Sequence, residues 1–246
     1  MSKALVILSG GQDSTTCLFW ALKRYDEVVA VTYDYDQRHV IEVEAARHIA
    51  RMAKVEHIVQ KIGPILRGTS PLVSGAPLEQ YKDAASLPGG LEKTFVPGRN
   101  ALFLVLAANL AYTMGIVDLV TGVSMEDYGG YPDCREPFIN AMAEALNAGL
   151  YEVRSPKSPM LIHTPLMHMS KADTVRLAYT MPDCWTALAF SHTAYDGQYP
   201  PTGHDHATLL RAKGFEQAGL PDPLVLRAVQ EGKMALPTTS NYTAWE

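Results

Sequence analysis

Three cysteines in 246 residues, Cys17, Cys134 and Cys184, are few, odd in number and widely spaced. That excludes a disulfide framework and points to a reducing compartment, so the expected location is the cytoplasm. Long apolar runs are missing too: nothing approaches the roughly 18 residues that a membrane-spanning helix needs. The opening "MSKALVILSGGQDS" lacks the apolar stretch and cleavage site of a signal peptide, and no export is expected. Positive charge is not in excess, since 21 Lys and Arg against 26 Asp and Glu leave a formal net charge of −5. The expectation is therefore no nucleic-acid partner and no membrane partner, although a local basic patch is not excluded by a global sum. Internal repeats and low-complexity tracts are also absent. What is present is 47% hydrophobic residues with 19% charged, enough for one large domain with a buried core.

Along the chain, "KALVIL" (3–8) is a short apolar run ended by glycines and reads as a buried parallel strand. Residues 14–24 then show helical spacing, with Leu18 and Leu22 on one face. "EVVAVTYDY" (27–35) is β-branched and aromatic, a second strand. A helical stripe at 40–54 and a third strand at 55–62 complete a strand–helix–strand–helix–strand series. Residues 63–98 interrupt it with five prolines and little periodicity, an irregular insertion of the kind that is usually functional. A strongly apolar helix (100–115), a strand (118–123), a helix (137–149), a strand (160–166) and a helix capped by Ser170 (171–180) follow. The fold class is α/β, a doubly wound, mainly parallel five-stranded sheet. The expected division is an α/β domain over 1–182 and a loop-and-helix appendage over 183–246, with helices near 207–218 and 223–232.

Chemistry should gather where strands end and helices begin. "LSGGQDS" (8–14) sits between the first strand and first helix, where the carboxyl edge of a parallel sheet opens a crevice. Gly10 and Gly11 permit close backbone approach, and their N–H groups with the Ser9 and Ser14 hydroxyls can ring a phosphate at the helix N-terminus. The string is neither G-x-G-x-x-G nor the Walker pattern. Asp13 beside phosphates calls for a Mg²⁺ between them. The string S-G-G-x-D-S resembles the pyrophosphate loop of the N-type ATP pyrophosphatases, which implies an ATP site over Leu8, Ser9, Gly10, Gly11, Gln12, Asp13, Ser14, Thr15, Thr16, Cys17 and Leu18.

Three further strings carry polar groups to comparable places. "FVPGRNALFL" (95–104) sets Arg99 and Asn100 at a helix entrance, where Arg99 can clamp a carboxylate or phosphate. Taken alone, it is also what an ordinary helix start with an exposed arginine looks like. "EDYGGYPDCR" (126–135) packs Glu126, Asp127, Tyr128, Tyr131, Asp133 and Arg135 into a turn-rich loop suited to a planar heterocycle, by carboxylate hydrogen bonds and tyrosine stacking. Cys134 has no neighbouring base in sequence and reads as an inert thiol. "HTPLMHMSKAD" (163–173) places Lys171 at a helix start, able to offset phosphate charge.

Together, in order from about residue 3 to 233, these strings resemble the 7-cyano-7-deazaguanine synthase family of queuosine precursor biosynthesis. The resemblance implies an ATP-dependent ligase that converts 7-carboxy-7-deazaguanine and ammonia to the 7-cyano base through an activated carboxylate and an amide. Asp13, Arg99 and Lys171 would then be catalytic. Arg99, Asn100, Glu126, Asp127, Tyr128, Asp133 and Arg135 would meet the substrate, and the protein would be a homodimer. The family also carries a structural zinc on four cysteines. The matching positions here are Ala194, Thr202, Asp205 and Thr208, none of them a cysteine. His192, His204, Asp205 and His206 lie near, but neighbouring histidines in a polar loop are more often solvated, so the expectation is no zinc. The alternatives are a sister ligase that stops at the amide or uses another acid, and a non-catalytic nucleotide-binding module. A tRNA-modifying pyrophosphatase would normally add a basic surface or a catalytic cysteine pair, and neither is found.

Overall fold

The first strand sorts its residues by alternation. In β1 (Lys3–Ile7) Ala4 and Val6 face one side and Leu5 the other, because successive side chains of a strand point to opposite faces. The computed structural model describes residues 1–36, 41–87, 90–125, 130–150, 159–200 and 204–239. Among these, five parallel strands stand in the order β3–β2–β1–β4–β5, with β2 at Glu27–Asp34, β3 at Glu56–Lys61, β4 at Asp118–Val120 and β5 at Leu161–His163. Leu5 is registered against Val29 on one neighbour and Leu119 on the other. The chain therefore runs outward from β1 to β3, returns, and continues on the other side. The reversal leaves a crevice at the carboxyl ends of β1 and β4.

One face packs α1 (Gln12–Leu22), α2 (Ile41–Ala53), α6 (Lys171–Tyr179) and α7 (Pro182–Leu188) against Ala4, Val6 and Ala30 through Leu18, Ile49, Val175 and Leu188. The opposite face is covered by α4 (Arg99–Thr113), whose Ala107, Ala108 and Ala111 meet Leu5, Val29, Val31 and Leu119. Those alanines let the helix lie close to the sheet. A third, smaller cluster joins Leu104 to Ile139 of α5 (Glu136–Leu150).

One expectation meets a different outcome. β4 and β5 are shorter than the apolar runs suggested, and the residues just beyond Val120 and His163 leave the sheet to form loops at its edge. Beyond residue 182, Cys184, Ala187 and Leu188 of α7 and Phe215 of α8 (His206–Ala218) pack into the same cluster as β1. Among its described residues, the insertion at 63–98 holds a short helix, α3 (Pro71–Ser74), and one 3-10 turn, Ala84–Ser86. It is tied to the C-terminal region by the Tyr81 N–H on the His204 carbonyl (2.9 Å) and by the His204 N–H on Gln80 Oε1 (2.7 Å).

Candidate active site

The glycine loop turns on two serines. The Ser9 N–H donates to Ser14 Oγ (3.2 Å), the two hydroxyls lie 3.0 Å apart, and the Gly11 N–H reaches Ser9 Oγ at 3.3 Å. α1 begins at Gly11 with no side-chain cap, so its first N–H groups are left for an anion in the crevice. Gly10, at φ +89°, is required for a reason other than phosphate approach. A Cβ there would lie 2.4 Å from the Glu42 carbonyl oxygen and 2.9 Å from Ala46 N, so its bareness lets α2 dock on the loop. Gly122 does the same for the end of β4, where a Cβ would come within 3.0 Å of the Asp13 carbonyl carbon and the Ser14 nitrogen.

These elements enclose a cavity of about 300 Å³. Leu8, Ser9, Gly11, Gln12, Asp13 and Ser14 line it from the loop, and Lys171 enters from the start of α6, its Nζ 2.5 Å from Asp13 Oδ2. Lys171 is held by α8, since Gly214 approaches so closely that a Cβ would sit 2.9 Å from the lysine's own. An aromatic and charged group completes the lining: Tyr33, Tyr35, Glu42, Arg99, Phe103, Tyr131 and Tyr195. Tyr33 and Phe103 stack at 4.7 Å, and Arg99 Nη1 donates to the Tyr35 hydroxyl at 3.4 Å. Burial raises both the Tyr33 and the Tyr35 phenol, so each remains a protonated donor. Burial also pushes the Glu42 carboxyl up to about 7, against a pull from the Arg99 charge.

The C-terminal region closes the cavity. The His192 N–H donates to the Gly10 carbonyl at 2.9 Å, and Thr193, Tyr195, His206 and Arg211 reach the lining. With this geometry in place, likeness to known proteins becomes specific. The family model described as "Queuosine biosynthesis protein QueC" matches residues 3–219, a stretch that contains every cavity residue. Proteins named 7-cyano-7-deazaguanine synthase are 52% identical over 91% of this chain and 96% of the Gloeobacter violaceus protein. Identity is 50% over 94% and 96% for Chromobacterium violaceum, and 40% over 87% and 94% for Bacillus subtilis. The chain belongs to the QueC family.

Within this QueC chain the sequence-derived site divides. Arg99, Asn100, Asp13 and Lys171 share the cavity. Of the expected nucleotide segment, Leu8, Ser9, Gly11, Gln12, Asp13 and Ser14 line the cavity, whereas Thr15, Thr16, Cys17 and Leu18 have no exposed surface and lie outside the lining. Asp133 is buried behind the lining, where the Asn100 amide donates to its carbonyl at 3.4 Å. Burial raises its carboxyl, while Arg99 and Asn100 pull it back. Arg135 is exposed and donates to the Gly130 carbonyl outside the cavity. Glu126, Asp127 and Tyr128 lie outside the described residues, as does Thr202. Tyr33, Tyr35 and Glu42 come from the end of β2 and its following helix, places the motif strings did not cover, whereas Phe103 and Tyr131 fall inside those strings. The rule that parallel sheets bind at their carboxyl edge would have found Tyr35.

The family's zinc does not fit the residues at its matching positions. Asp205 caps α8, its Oδ1 accepting from the Ala207 and Thr208 N–H groups and its Oδ2 from the Thr208 hydroxyl at 3.0 Å. Ala194 offers no ligand atom, and its carbonyl is engaged by His192 Nε2 at 2.8 Å. Among the described residues, no group of three or more His, Cys, Asp or Glu is placed to hold a metal.

Proposed function

We propose that the chain uses ATP to activate the carboxylate of 7-carboxy-7-deazaguanine, replaces the activated oxygen with ammonia, and activates and dehydrates the resulting amide to the nitrile. One observation carries this reading. Identity of 40–52% to proteins named 7-cyano-7-deazaguanine synthase covers most of the chain, and the family match spans the whole cavity.

The chemistry follows from the lining. The uncapped N-terminus of α1 and the serine hydroxyls receive the ATP phosphates. Lys171 exchanges its partner Asp13 for phosphate oxygens, and the freed Asp13 carboxylate would hold the Mg²⁺ that accompanies ATP, which would offset phosphate charge. Arg99 holds the substrate carboxylate and steadies the negative charge that builds on its oxygen during activation. The tyrosines and Phe103 offer flat apolar faces for the heterocycle. Each activation removes one oxygen with phosphate, so two rounds and one nitrogen turn –COO⁻ into –C≡N.

The test is product mass after incubation with the acid, ammonium and ATP. The expected product is the nitrile, formed with ATP consumption that depends on the acid. Accumulating amide without nitrile would establish the sister ligase, and no acid-dependent ATP cleavage would leave a nucleotide-binding module.

A further inference from the structure

Ammonia in neutral water is mostly ammonium, which has no lone pair to attack with. Attack by ammonia itself leaves a positively charged nitrogen that must lose a proton. A site that uses this nucleophile therefore needs a base beside the activated carboxyl. We infer that Glu42 is that base, taking the proton from the incoming nitrogen while Arg99 holds the carboxyl under attack. The inference rests on the function proposed above.

Among the described residues, four carboxyl or imidazole groups line the cavity: Asp13, Glu42, His192 and His206. Asp13 pairs with Lys171 at 2.5 Å, and once released it is taken up by the ion that accompanies ATP in the function proposed above. His192 Nε2 is taken by the Ala194 carbonyl, and His206 Nε2 lies 4.0 Å from the buried Glu92. Glu42 differs. It stands in the first turn of α2, which the bare Gly10 allows against the loop, and its carboxyl lies in the field of Arg99. The charge that acts on it is Arg99 from α4, and Glu42 in turn raises the Tyr35 phenol at the end of β2, which is itself bonded to Arg99. Burial brings the carboxyl near neutrality, to about 7, where a general base is most effective.

The step balances. The nitrogen lone pair forms a C–N bond at the activated carboxyl carbon, the C–O bond to the phosphate ester breaks with its electron pair on oxygen, and the nitrogen's proton passes to Glu42. After release of that proton to water, Glu42 is ready for one of the two N–H protons that the activated amide loses on becoming a nitrile, the other passing to water.

Hydroxylamine separates this role from a structural one, because its nitrogen is far more acidic than ammonia's once bonded to carbon and sheds its proton to water without a protein base, and because it reports acyl activation as hydroxamate. In Glu42→Gln, the ammonia-dependent rate should fall about 100-fold or more. Hydroxamate formation should fall less than about tenfold, and KM for the acid should hold. Equal losses with both nucleophiles would overturn the assignment, as would a large rise in KM for the acid with the ammonia rate intact. Should the variant fold poorly, wild-type pH profiles decide. At constant free ammonia the amide rate should drop as pH falls through about 7 while the hydroxamate rate does not, and identical profiles would overturn the role. A wild-type enzyme that makes neither product from the acid overturns the functional reading and this inference with it.

Discussion

Keeping a carboxyl in a part-buried cavity has a cost that can be read in pH. Glu42 is raised from 4.5 to about 7 by burial, so between those values the unfolded chain has released a proton that the native protein still binds. Stability is then lost as pH rises from about 4.5 to 7, and the loss stays constant above that. Glu42→Gln should therefore unfold at higher urea than wild type at pH 8, by about 1–3 kcal/mol, with the gain vanishing near pH 4. Denaturation curves at the two pH values check it. A residue whose neutral replacement stabilises the protein yet slows the reaction is held for chemistry rather than for the fold. Such a residue is hard to see in sequence. Glu42 sits in no glycine string, and an acid in the first turn of a helix looks like routine dipole compensation.

At the scale of elements, the strands were legible because a sheet buried on both faces writes continuous apolar runs. The helices were legible because their stripes recur every 3.6 residues. The ends were less so, since an apolar run does not reveal where pairing stops, and β4 and β5 stop early. The start of α8 shows a different limit. The inherited zinc spacing drew attention to 202, 205 and 208, while the local signal at Asp205 was a helix cap. Asp205→Ala should cost about 2 kcal/mol in urea unfolding, since it strands two buried N–H groups and the Thr208 hydroxyl. The midpoint of the unaltered protein should not move with a strong chelator. A chelator-induced drop of several degrees would show a metal there.

Across the whole molecule, one arginine holds the closing segment in place. Arg211 is buried, forks onto both Asp222 oxygens at 2.6 and 2.8 Å, and donates to Ser191 Oγ and Thr193 Oγ1 at 2.8 and 2.9 Å. Asp222 in turn caps α9 (Pro223–Gln230). Replacing Arg211 with Ala leaves Asp222 charged and buried, and should cost about 3–5 kcal/mol. Activity should fall further than the folded fraction explains, because Thr193 and Tyr195 lose their anchor beside the cavity. Parallel thermal melts and rates at a temperature where the variant is folded would separate the two effects.

The contact that seals the site, the His192 N–H on the Gly10 carbonyl, spans nearly the length of the sheet domain. During synthesis the glycine loop leaves the ribosome early, but its partner is translated more than 180 codons later. The sheet can assemble strand by strand as it emerges, whereas the pocket is completed in a late, long-range step. A ribosome stalled before residue 192 would thus carry a nascent chain with its glycine loop already made and no finished chamber around it.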